Sequence, residues 1–176
     1  MASWTTPPIH ATGDVLSVTD WNTVANNETF LYQAPYCRFV SLVSQSIANA
    51  TVTPITLSAS SPSFAGYGFA LTSGSVVTAP LTGTYFAYGS IGVTNYGGTS
   101  GNYMNSNIYQ NGVLNMIGSS TPTNQAFGSV SNVSGMVSCS ASAVFDLRLF
   151  NLSSVTLTTG SSGTTPYFGM FYVGSQ

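Results

Sequence analysis

From about residue 36 onward the chain alternates apolar and small polar positions with a period of two, the mark of half-buried strands. Arg38-Phe39-Val40-Ser41-Leu42-Val43 opens the series. Thr51 to Leu57 follows, interrupted by Pro54, and Val76 to Ala79 runs into a Pro80-Leu81-Thr82-Gly83 turn. The long segment Tyr85 to Thr94 sets Tyr85, Ala87, Ile91 and Val93 on one face, with Phe86 and Tyr88 on the other. Ile108 to Leu114 predicts a tight hairpin, because Asn111-Gly112 accepts the positive φ that both central positions of a type I′ turn require. Ser129 to Cys139, Val144 to Phe150 and Pro166 to Gly174 supply further strands. In the second of these, Phe145, Leu147 and Leu149 share a core face, while Asp146 and Arg148 share the opposite one. Asn95 to Asn102 and Thr158 to Thr165 are loops rich in Gly, Ser and Thr. Some eight to ten short strands with no repeat of fixed period predict an all-β, antiparallel jelly-roll sandwich.

The first 35 residues follow another pattern. They hold both tryptophans and a Pro7-Pro8 pair. Thr19 or Asp20 can cap a helix in which Trp21, Val24, Ala25 and Glu28 recur at helical spacing. One short helix of about two or three turns is expected. The chain thus divides into an N-terminal arm, 1–35, and a jelly-roll domain, 36–176. Trp4 and Trp21 need a surface to bury against, on the domain or on a partner.

Two strands are apolar on both faces. In the last one Tyr167, Phe171 and Val173 point one way, and Phe168, Met170 and Tyr172 the other; the Tyr85 strand is alike. One face packs on the opposite sheet, and the second also needs cover. With no long amphipathic helix at hand, another subunit is the natural cover.

Composition sharpens this picture. Hydrophobic residues make up 43% and aromatic residues 12% of the 176 residues, enough for a core. Charged residues amount to 3%, against roughly 25% in ordinary domains. The formal net charge is −2 and lysine is absent. Two arginines cannot form a basic footprint, so nucleic acid is not an expected partner. No run of apolar residues is long enough for a membrane-spanning helix, so no membrane insertion is expected. Met1-Ala2-Ser3-Trp4 lacks a basic start and an apolar run, which predicts synthesis in a cytoplasm and release by lysis. Cys37 and Cys139 read as two buried thiols in preference to a disulfide.

Catalytic chemistry lacks materials. The single histidine, His10, lies in the arm, and no G-x-S-x-G elbow exists for a nucleophile. Three of the four carboxylates, Asp14, Asp20 and Glu28, are also in the arm, leaving Asp146 alone in the body without a second acid. Zinc draws on Cys and His clusters and calcium on several carboxylates, so neither metal nor cofactor is expected, and no enzyme activity. Asp146 and Arg148 are either an intersubunit ion pair that fixes register or an exposed strand pair worth under about 1 kcal/mol. Tyr96, Asn102 and Tyr103 fall in a Gly- and Asn-rich loop where tyrosine rings could stack on sugar faces; plain solvated loops are the competing reading.

Two resemblances enter here. Gly83-Thr84-Tyr85-Phe86-Ala87-Tyr88 resembles the "G-x-Y-x-F" strand of the trimeric jelly-roll superfamily shared by tumour necrosis factor and the complement globular heads. Ile108-Tyr109-Gln110-Asn111-Gly112 is similar to its "L-x-x-N-G" hairpin, Val144 to Leu149 to its "V-x-L-x-L" strand, and Tyr167 to Tyr172 to its closing "F-x-G-F-x-x-Y" strand. Order and spacing match over residues 36–176, although Ser140-Ala141-Ser142-Ala143 stands where that superfamily carries Gly-Asp. The resemblance implies a tumour-necrosis-factor-like homotrimer, with Tyr85, Tyr88, Asp146, Arg148, Tyr167 and Phe171 at its interface. The arm, Trp4-Thr5-Thr6-Pro7, then Ala11 to Val18, then Trp21-Asn22, resembles the N-terminal segment of many tailed-bacteriophage virion proteins. That implies anchoring through Trp4, Pro7, Asp14, Trp21 and Asn22 to a capsid or tail protein. Together they imply a virion accessory protein: a capsid decoration, head fibre or tail fibre piece on the particle surface, in contact with host surface. The alternative is a glycan-binding, lectin-like adhesin.

Overall fold

The computed structural model describes residues 5–6, 9, 14–15, 17–32, 34–58, 64–66, 68–94, 102–122, 129–160 and 165–175. Trp4, Pro7 and Tyr96 lie outside them. One helix, α1 (Val18–Tyr32), precedes the strands β1 (Tyr36–Val40), β2 (Gln45–Ile47), β3 (Thr51–Pro54), β4 (Phe64–Gly66), β5 (Ala70–Thr72) and β6 (Val76–Thr78). Then come β7 (Gly83–Thr94), β8 (Tyr103–Gln110), β9 (Val113–Pro122), β10 (Ser129–Cys139), β11 (Val144–Leu152), β12 (Leu157–Thr159) and β13 (Tyr167–Gly174).

The helix starts earlier and runs longer than its spacing predicts. Ser17 is the cap, in place of Thr19 or Asp20. Its hydroxyl accepts from the Asp20 N–H at 3.2 Å, and the Asp20 carboxylate accepts from the Ser17 N–H at 2.7 Å. This reciprocal box satisfies two amides at once and also sets a negative charge on the positive end of the helix. The 15-residue helix makes about four turns in place of two or three.

The strands form the expected antiparallel two-sheet sandwich. A seven-stranded sheet runs β2-β12-β7-β13-β1-β4, with β10 on the other edge of β7. A six-stranded sheet runs β5-β6-β11-β8-β9, with β3 also on β11. The strand count exceeds expectation because β2, β4, β5 and β12 are three residues each, too short to register as a period. The Asn111-Gly112 hairpin joins β8 to β9 with φ of 51° and 77°, as that dipeptide requires.

Between the sheets lie Ile91, Met104, Ile108, Phe145, Leu147, Leu149, Phe168 and Met170, all fully buried. Tyr85 belongs with them, which corrects its assignment to a subunit interface. Its side chain shares the inward face of β7 with Ala87 and Ile91, and it has no exposed surface. Its hydroxyl accepts from the Leu81 N–H (3.1 Å) and donates to the Leu81 carbonyl (2.8 Å), so the ring is buried with its polar end satisfied. Phe69 and Tyr172 meet the ring edge-on at 5.8 and 5.2 Å. Phenol ionisation is pushed up, mainly by burial.

The pairing register gives the sandwich two distinct poles. Tyr36 opposite Phe171, Thr84 opposite Gly174, and Gly83 opposite Cys139 place the start of β1 at one end, and the helix precedes that strand. Val93 opposite both Ser129 and Thr159 marks the other end, where β7 and β12 finish and β10 begins.

Candidate functional site

The outward face of the seven-stranded sheet carries a row of aromatic rings. Phe86 and Tyr88 of β7 point out because Tyr85 and Ala87 point in, and the same alternation in β13 turns Tyr167 and Phe171 outward. Register then brings them together: Phe86 sits opposite Phe171, and Tyr167 opposite Ser90. Ring centroids lie 5.2 Å apart for Phe86–Phe171, 6.3 Å for Phe86–Tyr88 and 6.1 Å for Tyr88–Tyr167. Gly169 makes room for this layer, since a Cβ there would fall 2.4 Å from the Tyr88 ring. Phe171 is 44% exposed, and Met136, opposite Phe86 on β10, is 54% exposed. Tyr88, Tyr167 and Phe171 therefore share one surface.

A single cation sits in that layer. The Arg38 guanidinium lies over the Tyr167 ring at 4.3 Å from its centroid. Arg38 Nε is buried, with no hydrogen-bond partner among the described residues. Burial pushes the Tyr88 hydroxyl up in pKa, and Arg38 acts in the opposite sense. Alternation already put Phe86 beside Tyr88, whereas Met136 and Arg38 join this face only through register.

A second apolar surface lies around the corner, where β9 runs beside β10. Ser131 Oγ donates to the Ser119 carbonyl at 2.9 Å, and Thr121 Oγ1 donates to the Val130 carbonyl at 3.1 Å. Leu114 and Ile117 stand 43% and 64% exposed on that edge.

Asp146 and Arg148 lie on the opposite side of the molecule, on the outer face of the six-stranded sheet. They therefore lie apart from Tyr88, Tyr167 and Phe171, on a different surface of the subunit. Arg148 Nε donates to Asp146 Oδ2 at 2.7 Å, so the pair is intramolecular. The guanidinium also stacks 3.9 Å over Tyr109, which stands opposite Asp146 on β8. Both charges are answered within the chain.

The remaining assigned residues are spread apart. Trp21 is exposed on α1, with Val18 and Val24 also exposed, and Asn22 and Asp14 are exposed too. The Asn27 amide grips the backbone of Thr5 from both sides, accepting from its N–H (2.8 Å) and donating to its carbonyl (2.7 Å). This clip folds the start of the arm back along the helix. Asn102 Nδ2 donates to the Ser153 carbonyl and to Ser154 Oγ, at 2.8 and 2.9 Å. Tyr103 packs edge-on against Phe150 at 6.1 Å. Asn102 thus braces its loop, and its amide donor is already engaged.

Cys37 and Cys139 are free and buried. They sit on β1 and β10, with β13 and β7 between, so at least about 14 Å separates them and no disulfide can form. Burial raises the Cys37 thiol to about 12 and the Cys139 thiol in the same direction. Among the described residues no three His, Cys, Asp or Glu side chains gather to hold a metal ion, and no helix is long and apolar enough to cross a membrane. An open cleft of about 490 Å³ beside the Asn111-Gly112 turn is lined by Gln110, Asn111 and Ser138 to Ala143, with neutral polar groups and no charge.

No family model matches the chain, and no curated protein matches it. Solved structures do. Murine APRIL at pH 8.0 superposes with a TM-score of 0.56 at 14% identity, over 78% of this chain and 98% of that one. Murine APRIL at pH 5.0 gives 0.58 at 14% identity, over 80% of this chain and all of that one. Eiger TNF from S. frugiperda gives 0.61 at 9% identity, over 82% of this chain and 95% of that one. At such identities the likeness is one of fold: an all-β, two-sheet sandwich of the tumour-necrosis-factor type, preceded by one short helix.

Proposed function

We propose that this chain is a non-catalytic, homotrimeric structural protein of a virion surface, a capsid decoration or fibre anchored by residues 1–35. The observation that carries the assembly is the aromatic outer face of the seven-stranded sheet, which leaves Phe171 and Met136 half open to water. Domains of this fold commonly form homotrimers and are typically non-enzymatic. Packing the aromatic face of one copy against the β9/β10 edge of the next is a heterologous contact, and such contacts close into rings. Leu114 and Ile117 then meet Phe86, Tyr88, Tyr167 and Phe171.

The virion role draws on the arm. Its pattern of Trp4, Pro7, Asp14, Trp21 and Asn22 resembles that of phage virion proteins. The helix leads into the start of β1 at one pole, while β7 ends and β10 begins at the other. An anchor at one end leaves the far end free to face outward to a host surface. Assembly in a host cytoplasm and release by lysis belong to the same reading. Light scattering should give a mass three times the 18.3 kDa of one chain, and a stable monomer overturns the assembly. Deleting residues 1–35 should leave a trimer that no longer joins particles; retained incorporation overturns the arm as anchor. The adhesin alternative, with Tyr96, Asn102 and Tyr103 as sugar contacts, requires a specific, competable signal on a glycan array.

A further inference from the structure

We propose that Arg38 holds a small inorganic anion within the covered aromatic face in the assembled protein. The inference rests on the trimer reading above and asks what that trimer must contain. Arg38 stands on β1 opposite Gly169, which in turn stands opposite Tyr88, so its guanidinium reaches into the face from the β1 side. It lies 4.3 Å over the Tyr167 ring, and its Nε is buried with no partner among the described residues.

Closing the face removes this cation from water. A guanidinium so treated costs several kcal/mol unless an anion or a full set of acceptors meets it. Ring faces offset part of that cost and leave the charge unneutralised. The body holds one carboxylate, Asp146, and Arg148 engages it at 2.7 Å on the opposite sheet. The edge that would cover the face offers Leu114, Asn115, Ile117 and Ser134, all neutral. Neither the body of this copy nor that edge of the next supplies a counter-charge. An anion from solution, accepting from the guanidinium fork, completes the interface, one per subunit.

Bromide is the probe. Crystals of the full chain grown in sodium bromide should show one anomalous peak per subunit beside the Arg38 fork. In solution, thermal unfolding at fixed ionic strength, with gluconate replacing bromide, should show a midpoint that rises and saturates with bromide. Arg38→Met should lose that rise while remaining a trimer, and Arg38→Lys should shift it to higher bromide. Fork nitrogens bonded only to carbonyl, hydroxyl or amide oxygens of the neighbouring copy, with no bromide peak, overturn the proposal. An equal bromide response in Arg38→Met overturns it as well. Light scattering tests the trimer independently. A monomer in which bromide sits on Arg38 would remove the assembly and keep the anion site, whereas a monomer without bromide there removes both.

Discussion

The two outer faces of the sandwich come from the same period-two pattern and yet are finished differently. On the six-stranded sheet Asp146 and Arg148 neutralise each other over Tyr109, and Tyr103 rests against Phe150. On the seven-stranded sheet Phe86, Tyr88, Tyr167 and Phe171 form a continuous layer around an Arg38 that no carboxylate of the described residues answers. A protein with so few charges has little means of keeping an apolar face in water. Among the described residues the arginine that no carboxylate answers lies among these rings, and the proposed assembly would cover it with a second molecule.

The largest break in this contrast comes from a charge placed in the layer. Phe86→Asp should turn the trimer into a monomer, weakening association at least 100-fold, or about 3 kcal/mol, because a carboxylate would be buried against the neighbour. The monomer should keep the same far-ultraviolet circular dichroism, since Phe86 points away from the core. Light scattering across a dilution series reads the outcome, and an unchanged mass removes the aromatic face from the interface.

The interior gives the next largest effect and depends on neither face. Burial raises the Cys37 thiol from its ordinary 9.0 to about 12. The folded chain therefore keeps a proton that the unfolded chain releases above about pH 9. Stability is complete below pH 9 and falls as pH rises from 9 to 12, by about 1.4 kcal/mol per pH unit for one such group. Tyr85, pushed up from its ordinary 10.0, adds to the slope at higher pH. Urea unfolding of the Phe86→Asp monomer at pH 8, 9 and 10 measures this, and Cys37→Ala should lessen the step between 9 and 10, with Cys139, raised in the same direction, keeping the remainder. A slope that survives Cys37→Ala unchanged assigns the alkaline loss elsewhere.

Tyr85 and Tyr88, three residues apart on β7, test how sharply the interior and the face separate. Tyr85→Phe leaves the Leu81 N–H and carbonyl without the phenol and should cost about 1–2 kcal/mol of monomer stability with no change in mass. Tyr88→Phe should leave the fold within about 0.5 kcal/mol. Periodicity alone put these two residues on opposite faces, and the structure agrees. What it could not say is which face of the strand turns inward, because Tyr85, Ala87, Phe86 and Tyr88 are all apolar enough for either side. Resemblance placed both tyrosines at an interface, and the Leu81 bonds show why one belongs to the core. The hairpin was legible for a local reason, the φ tolerance of Asn111-Gly112. The Ser17 cap was missed because Thr19 and Asp20 are equally good capping residues two and three positions on. Arg38 could not be placed over Tyr167 from spacing, since they lie far apart in sequence and meet only through the pairing of β1 with β13.

The smallest expected effect bears on the self-contained face. A double-mutant cycle with Asp146→Asn and Arg148→Met should give a coupling of about 1 kcal/mol or less, because the Arg148 side chain keeps 24% of its surface in water and solvent screens the pair. The cation stacked on Tyr109 makes Arg148→Met the costlier single change. Neither substitution should alter the mass of the assembly, since the pair is closed within one chain on the side away from the rings. A trimer that falls apart on Asp146→Asn would mean that the ion pair works between subunits. The six-stranded sheet would then be as unfinished as the seven-stranded one. An unchanged trimer with a small coupling leaves the asymmetry where the charges put it, with the answered pair outside and the unanswered arginine at the contact.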